Sequence, residues 1–268
     1  MPDTCVFYLV WAPLGLEPLE RFAASYRAHA PGLDHRLVFL RKGVEPGPVA
    51  RRCTDLCDEL DAEGVELTPS GRDLDAYLAA ARAVDAPAMC FLNSNSEILA
   101  SGWLRALRLV LQEPGVGLVG ATGSNESALS SAPHLLRPLL RRRYPPFPNP
   151  HLRTNGFMLE RALMLGLDWP ATTRKRGALE LESGVSSITR QVWALGLQAL
   201  VIGRDGVGYP PERWRESATF RSGNQANLLV ADNRTRQYDE ADPEWRATLE
   251  RMAWGSVSPS SSQRQASA

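Results

Sequence analysis

The apolar positions of this chain follow two rhythms that take turns. Runs of strand type and strand length occur at residues 5–11 (CVFYLVW), 37–40, 65–67, 88–92 and 116–119. Between them lie stretches whose apolar residues repeat at helical spacing. Residues 16–30 carry Leu16, Leu19, Phe22, Ala23 and Tyr26 in this way and stop at Pro31-Gly32. Residues 49–60 form the second, ended by Gly64; the third, 74–84, is rich in alanine, a strong helix former. The fourth, 103–111, is broken by Gly115. Strand and helix alternating over short connections predict an α/β fold: a mostly parallel sheet flanked by helices on both faces. A plain doubly wound sheet gives the same alternation, so the pattern alone leaves the kind of nucleotide-binding sheet open.

After Gly120 the rhythm breaks. Residues 122–150 form a long connection with a short helical piece near 135–140 and a proline-rich end, YPPFPNP. A connection this long inside a compact domain usually has a function of its own. It holds Arg137, Arg141, Arg142 and Arg143, which read as a solvated basic face, a contact for an anionic ligand, or a contact with a membrane surface. A strand at 155–159 and a short helix at 160–165 follow. The stretch 171–181 turns from basic (Arg174, Lys175, Arg176) to acidic (Glu180), and Glu182-Ser183-Gly184 opens a helix over 185–195. A last strand is expected at 197–203 and a terminal helix at 243–254. Residues 219–233 fit either a helix with polar residues reaching into a site or a plain edge element. One domain over 1–255 is expected, with a disordered Ser-, Gln- and Ala-rich tail from 256 to 268.

The composition adds exclusions. A hydrophobic fraction of 44% supports a sizeable core. The 30 basic and 30 acidic residues balance, which argues against general nucleic-acid affinity. Cys5, Cys53, Cys57 and Cys90 read as small buried or half-buried thiols, with Cys53 and Cys57, one helical turn apart, as a metal pair the less favoured reading. No apolar run reaches the roughly 20 residues of a membrane helix, and the run at 5–11, with no basic region before it, is too short to read as a signal peptide. A cytoplasmic protein is expected, with peripheral contact at the inner membrane face left open.

The candidate chemistry centres on residues 88–121, which read as a βαβ unit. Its first strand delivers Asn93-Ser94-Asn95-Ser96-Glu97, two amides, two hydroxyls and a carboxylate, at its carboxyl end. In open α/β sheets the ligand crevice lies outside those ends. Glu97 is a candidate ligand for a divalent cation, helped by the Asn95 carbonyl; alternatively residues 93–97 simply cap the helix at Trp103. Trp11, Ala12 and Pro13 at the end of the first strand form a candidate pocket wall. Arg41 and Lys42 past the second strand are candidate nucleotide contacts. Asp73 is another, with an N-cap for the third helix as its rival reading. His151 and Arg153 flank the strand at 155; a lone histidine is usually structural. No Walker or Rossmann glycine loop is present, since residues 203–208 do not open a βαβ unit.

The run FLNSNSEILASGWLRAL…PGVGLVG resembles the middle of a family 2 glycosyltransferase of the GT-A fold. The resemblance is strongest at Gly102-Trp103-Leu104 and from Val116 to Gly120. It departs at Asn93 and Asn95, which stand where that family often has metal-binding carboxylates. It implies a UDP-, GDP- or dTDP-sugar donor, a Mn or Mg ion held by Glu97 and Asn95, and donor contacts from Trp11, Ala12, Pro13, Arg41, Asp73, Asn93 and Asn95. It also implies an inverting transfer to a glycan or lipid-linked acceptor. The base would be Glu182, with Glu180 as second choice; Glu182 equally reads as an N-cap or first-turn acid. A non-catalytic sugar-nucleotide or glycan-binding protein is the rival on the same fold, and a homodimer is left open. A nucleotidyltransferase fits less well, because residues 11–15 lack the basic residue that class carries after its first strand.

Overall fold

The computed structural model describes residues 2–68, 72–130, 132–169 and 175–256. Ser70, Gly71, Arg174 and residues 257–268 of the tail expected from 256 lie outside the described residues. The strands are β1 (Thr4–Trp11), β2 (Arg36–Lys42), β3 (Ala62–Leu67), β4 (Ala88–Leu92), β5 (Glu97–Ile98), β6 (Val116–Gly120), β7 (Gly123–Ser124), β8 (His151–Leu152), β9 (Gly156–Glu160), β10 (Gln198–Ile202), β11 (Gly208–Tyr209) and β12 (Val230–Ala231). The helices are α1 (Glu17–Ala28), α2 (Pro48–Leu60), α3 (Asp73–Ala83), α4 (Trp103–Leu111), α5 (Arg137–Leu140), α6 (Arg161–Gly166), α7 (Lys175–Ser183), α8 (Ile188–Ala194), α9 (Asn233–Asp239) and α10 (Pro243–Trp254). None of them is long and apolar enough to cross a membrane.

Eight strands form one sheet in the order β11-β10-β6-β9-β4-β1-β2-β3. β1, β2, β3 and β4 are mutually parallel, and β6 is parallel to β10. β9 lies between β4 and β6 and runs antiparallel to both. Strands buried on both faces read as unbroken apolar runs, and β1 shows why. Its Cys5, Phe7 and Leu9 belong to the core under α3, α6, α7 and α8, while Val6, Tyr8 and Val10 belong to the core under α1, α2 and α4. Phe7 stacks on Phe91 on the first face, Tyr77 packs tilted against Phe91, and Phe157 meets Tyr77 edge-on. The expected mostly parallel sheet with helices on both faces is the fold observed.

Several boundaries differ from the pattern. The strand expected at 37–40 continues to Lys42, because Arg41 and Lys42 keep the ladder with Glu66 and Leu67 of β3. The second helix ends at Asp61, which takes the left-handed conformation (φ 50°), and not at Gly64. Gly64 sits inside β3, where a Cβ would lie 2.5 Å from the Arg41 guanidinium. Residues 219–229 form no helix; β12 pairs with β5 in a two-stranded ribbon, and the helix begins only at Asn233. The four cysteines are free thiols, three of them buried, and burial pushes Cys53 up to about 11.

Candidate active site

The reversal of β9 decides where the site forms. Because β9 is antiparallel, its start lies at the carboxyl ends of β4 and β6: Gly156 pairs with Leu92. The two residues before it, Thr154 and Asn155, therefore stand at the sheet edge where the polar turn after β4 also stands. The Asn155 carbonyl accepts from the Asn93 backbone N–H (3.2 Å) and from the Ser96 hydroxyl (2.7 Å). Thr154 donates its backbone N–H and its hydroxyl to Glu182 Oε1, both at 3.1 Å. One dipeptide thus holds the Asn93 turn on one side and the Glu182 carboxylate on the other. Among the described residues Glu182 Oε2 has no hydrogen bond, so one carboxylate oxygen is anchored and the other is available.

Glu182 does not open a helix. It lies in the last turn of α7, and Ser187 caps α8 by accepting from the Arg190 N–H. The N-cap reading therefore falls away: a carboxylate at a helix carboxyl end opposes the dipole there. Glu180 points elsewhere and bonds Arg143 at 2.9 Å. Asp73 is the first residue of α3, one past the cap position at Arg72. It is exposed, yet burial by the protein around it pushes its carboxyl up, with Lys42 pulling it down and Glu182 pushing it further up. The Lys42 and Glu182 contributions place Asp73, Lys42 and Glu182 in one electrostatic neighbourhood. Tyr77, one turn on from Asp73 in α3, has its hydroxyl fully buried without a hydrogen-bond partner among the described residues. Burial pushes its phenol well above the usual range, with Asp73 and Glu182 adding to the shift.

Arg41 and Lys42 part company because they alternate along β2. Arg41 faces α2, near Cys53 and Cys57, and its Nε is 2.8 Å from Glu66. Lys42 faces α3; it is buried, which pushes its ammonium down, while Asp73 and Asp75 pull it back up. Trp11 is 43% exposed at the end of β1, and Ala12 and Pro13 continue into a 3-10 turn closed by Gly15. His151 is buried and bonds the Asn149 carbonyl through Nδ1 at 2.8 Å. Burial lowers its pKa, and Glu182 is the leading group pulling it back up.

The turn itself is not a helix cap, since Gly102 holds that position before α4. Asn93 Oδ1 accepts from the Asn95 backbone N–H at 2.9 Å, an Asx turn. The Tyr8 hydroxyl lies 3.0 Å from the Ser94 carbonyl and 3.2 Å from that of Pro18. Glu97 is committed to arginines: Oε2 is 3.1 Å from Arg236 and 3.9 Å from Arg21, and Arg236 also donates to the Asn95 carbonyl at 3.2 Å. The divalent cation the resemblance implies would find here two neutral amides, one already used within the turn, and one carboxylate paired with two arginines. Among the described residues no group of three or more His, Cys, Asp or Glu side chains comes together to hold a metal ion. Hard cations are held by several unpaired oxygens, so this donor set does not fit a resident Mg or Mn ion.

Other parts of the site lay beyond the sequence reading. Arg153, half-buried over the Phe220 ring, pairs with Asp232 at 2.7 Å and donates to Thr122 at 3.3 Å. Asp232 also caps α9 by accepting from Arg234 and Thr235. An Asp three residues before a Thr at a helix start is a cap signal readable in sequence; its pairing with Arg153 is not. Next to Asn95 and Arg236 an open cleft of about 640 Å³ runs between α1, α9 and α10, with Glu17, Glu240 and the half-exposed Trp245 on its walls.

The sheet order, with β9 reversed between parallel strands, and the helices on both faces make this a GT-A-like fold. No family model and no curated protein matches the chain. Solved structures do. S. aureus TarS (residues 1–349) superposes with a TM-score of 0.50 at 12% identity, over 81% of this chain and 63% of that one. The mannosyltransferase PcManGT from Pyrobaculum calidifontis, solved with GDP-Man and Mn2+, gives 0.47 at 16% identity, over 81% and 60%. Glucosyl-3-phosphoglycerate synthase from Mycobacterium tuberculosis, solved with Mn2+, UDP and phosphoglyceric acid, gives 0.43 at 15% identity, over 66% and 62%. The chain spans about three-fifths of the length of each of these chains, and at such identities the likeness concerns the fold.

Proposed function

We propose that the protein is a glycosyltransferase that moves a sugar, with inversion, from a nucleoside-diphosphate sugar to a glycan or lipid-linked acceptor. The observation that carries this reading is the Thr154-Asn155 bridge between the turn after β4 and Glu182. In this reading Trp11, Ala12 and Pro13 wall the donor pocket and Asp73 meets a hydrogen-bond donor of the nucleobase. Asn93 and Asn95 lie along the diphosphate. The acceptor hydroxyl oxygen attacks the anomeric carbon, its proton passes to Glu182 Oε2, and the bond from that carbon to the diphosphate oxygen breaks. Thr154 keeps the carboxylate oriented through Oε1. Positive charge at this edge comes from Lys42 and Arg236, which would offset the charge of the departing diphosphate without a resident cation.

The test is a panel of UDP-, GDP- and dTDP-sugars, with Mn2+ or with EDTA. The readouts are thermal stabilisation and released nucleoside diphosphate. One donor should stabilise the protein, by about 2.7 kcal/mol at a hundredfold excess over Kd, and should turn over in EDTA. Glu182→Gln should retain that stabilisation and lose roughly 10²–10⁴-fold in turnover. The asparagines at 93 and 95 favour a second reading, a sugar-nucleotide-binding protein without turnover. Stabilisation by a donor, with no nucleoside diphosphate released under either condition, would establish it in place of the first.

A further inference from the structure

Residues 127–130 and 132–150 belong to an arm that leaves β7 and returns to β8. Its middle holds three exposed leucines, two of them the most exposed leucines of the described chain. Leu135 is 94% exposed, Leu139 67% and Leu136 50%. Backbone hydrogen bonds follow a helical path from Pro133 to Tyr144 through α5, so Leu135 and Leu139, four apart, share one line with Leu136 beside them. The groove between Leu136, Leu139, Leu140 and Arg143 holds only about 120 Å³. That is below the roughly 300 Å³ of an ordinary ligand pocket, so these leucines do not wall one.

The charge around them has one sign. From residue 127 to 159 there is no Asp or Glu, although the whole chain balances 30 acidic against 30 basic residues. Arg141 and Arg142 are exposed beside the leucine line, with Arg137 and Arg143 next to them. Protruding leucines ringed by arginines match an interface of hydrocarbon under anionic headgroups. A soluble partner would need complementary acidic and apolar surface in one place; a bilayer of anionic lipid offers both everywhere.

The arm is also fastened to the active site. Arg143 bonds Glu180, the Val185 N–H bonds the Arg143 carbonyl at 2.8 Å, and Asn149 donates to the Ser183 carbonyl at 2.8 Å. All three attachments lie within three residues of Glu182. We propose that the 127–150 arm docks on an anionic lipid bilayer and so brings the site to an acceptor carried by a lipid. The choice of acceptor rests on the transferase reading; the docking does not.

Sedimentation of the full chain with phosphatidylcholine vesicles, with and without about one third phosphatidylglycerol, tests the docking and needs no donor. The protein should pellet with the anionic vesicles, and the bound fraction should fall as salt screens the headgroups. Arg141→Gln with Arg142→Gln should weaken partition about 25-fold, near five-fold per arginine. Leu135→Asn with Leu139→Asn should weaken it at least ten-fold, with the melting temperature unchanged because both side chains are exposed. Absent binding to anionic vesicles, or equal binding by the arginine variant, overturns the proposal. So does a dimer in light scattering that the leucine variant dissolves while the wild type ignores vesicles, since the leucines would then face a second copy. Because pelleting is read without substrate, it stands or falls separately from turnover.

Discussion

The two halves of the molecule are held together by different physics. Up to Gly120 the chain is regular: parallel strands joined by helices, with apolar residues filling both faces of the sheet. Beyond it the connections lengthen and the elements shorten, and charge enters the interior. Arg153 and Asp232 pair with 11% and 1% of their side chains exposed, and Arg221, 3% exposed, pairs with Glu126. Left-handed non-glycine residues follow the same division: Asp61 alone in the first half, Ala218, Arg221 and Gln225 in the second, among the described residues. Each costs of order 1 kcal/mol. The first half builds a floor whose strength is non-directional; the second builds walls that depend on single partners being in place.

The sharpest way to break this contrast is to remove one charge. Arg153→Met leaves Asp232 buried and unpaired, which should cost about 3–5 kcal/mol at pH 7, roughly 10 °C in melting temperature. Burial alone would raise the Asp232 pKa, but Arg153 outweighs it and holds the carboxyl below its ordinary value. A carboxyl lowered in the folded state contributes stability that is present above its unfolded pKa, near 3.9, and is lost as pH falls through the folded value. In the variant the carboxyl shifts up instead, so the gap between the two proteins should narrow as pH falls from about 5 towards 4. Denaturant melts at several pH values measure this; a gap that stays constant with pH would mean that the pair contributes nothing specific.

In the first half the counterpart is Leu107→Ala in α4, a fully buried side chain. It should cost about 3 kcal/mol, by lost burial and a cavity, with no change between pH 4 and 8. A strong pH dependence there would erase the distinction between the halves. The smallest effect is expected at the junction. Asn95→Asp restores a carboxylate at the turn without disturbing the backbone N–H that Asn93 accepts. Manganese should then improve donor affinity by about ten-fold, ~1.4 kcal/mol, where the wild type gains nothing. A wild type that already responds to manganese to that extent would show that the amides and the donor suffice to hold the ion.

The same division governs what could be read from sequence. The runs at 5–11 and 88–92 betray themselves because both faces are buried, and the helices between them carry their periodicity openly. The strand at 155–159 was legible to within one residue of β9, but its direction was not: direction depends on the path of the arm before it, and alternation reads the same both ways. Boundaries failed where charge interrupts an apolar run, as at Arg41 and Lys42, which stay in the ladder and face opposite sides. Glu97 stands out in its polar turn, but its partner Arg236 is 139 residues away. Glu182 is picked out by the resemblance, as an acid opening a helix, yet the helix it belongs to precedes it, and the residue that orients it, Thr154, carries no periodic signal at all.

The reversed strand also sets what length changes the chain can absorb. The tip of the arm, from Pro133 to Arg142, can gain or lose residues, because the bonds that fasten the arm to α7 and the turn after it run through Arg143 and Asn149. From Arg153 onward that tolerance ends. An insertion between Arg153 and Gly156 would turn the Thr154 hydroxyl away from Glu182 or lift the Asn155 carbonyl off Ser96. The surface that meets the outside world is thus free to drift, while the two residues that join floor to wall must keep their count.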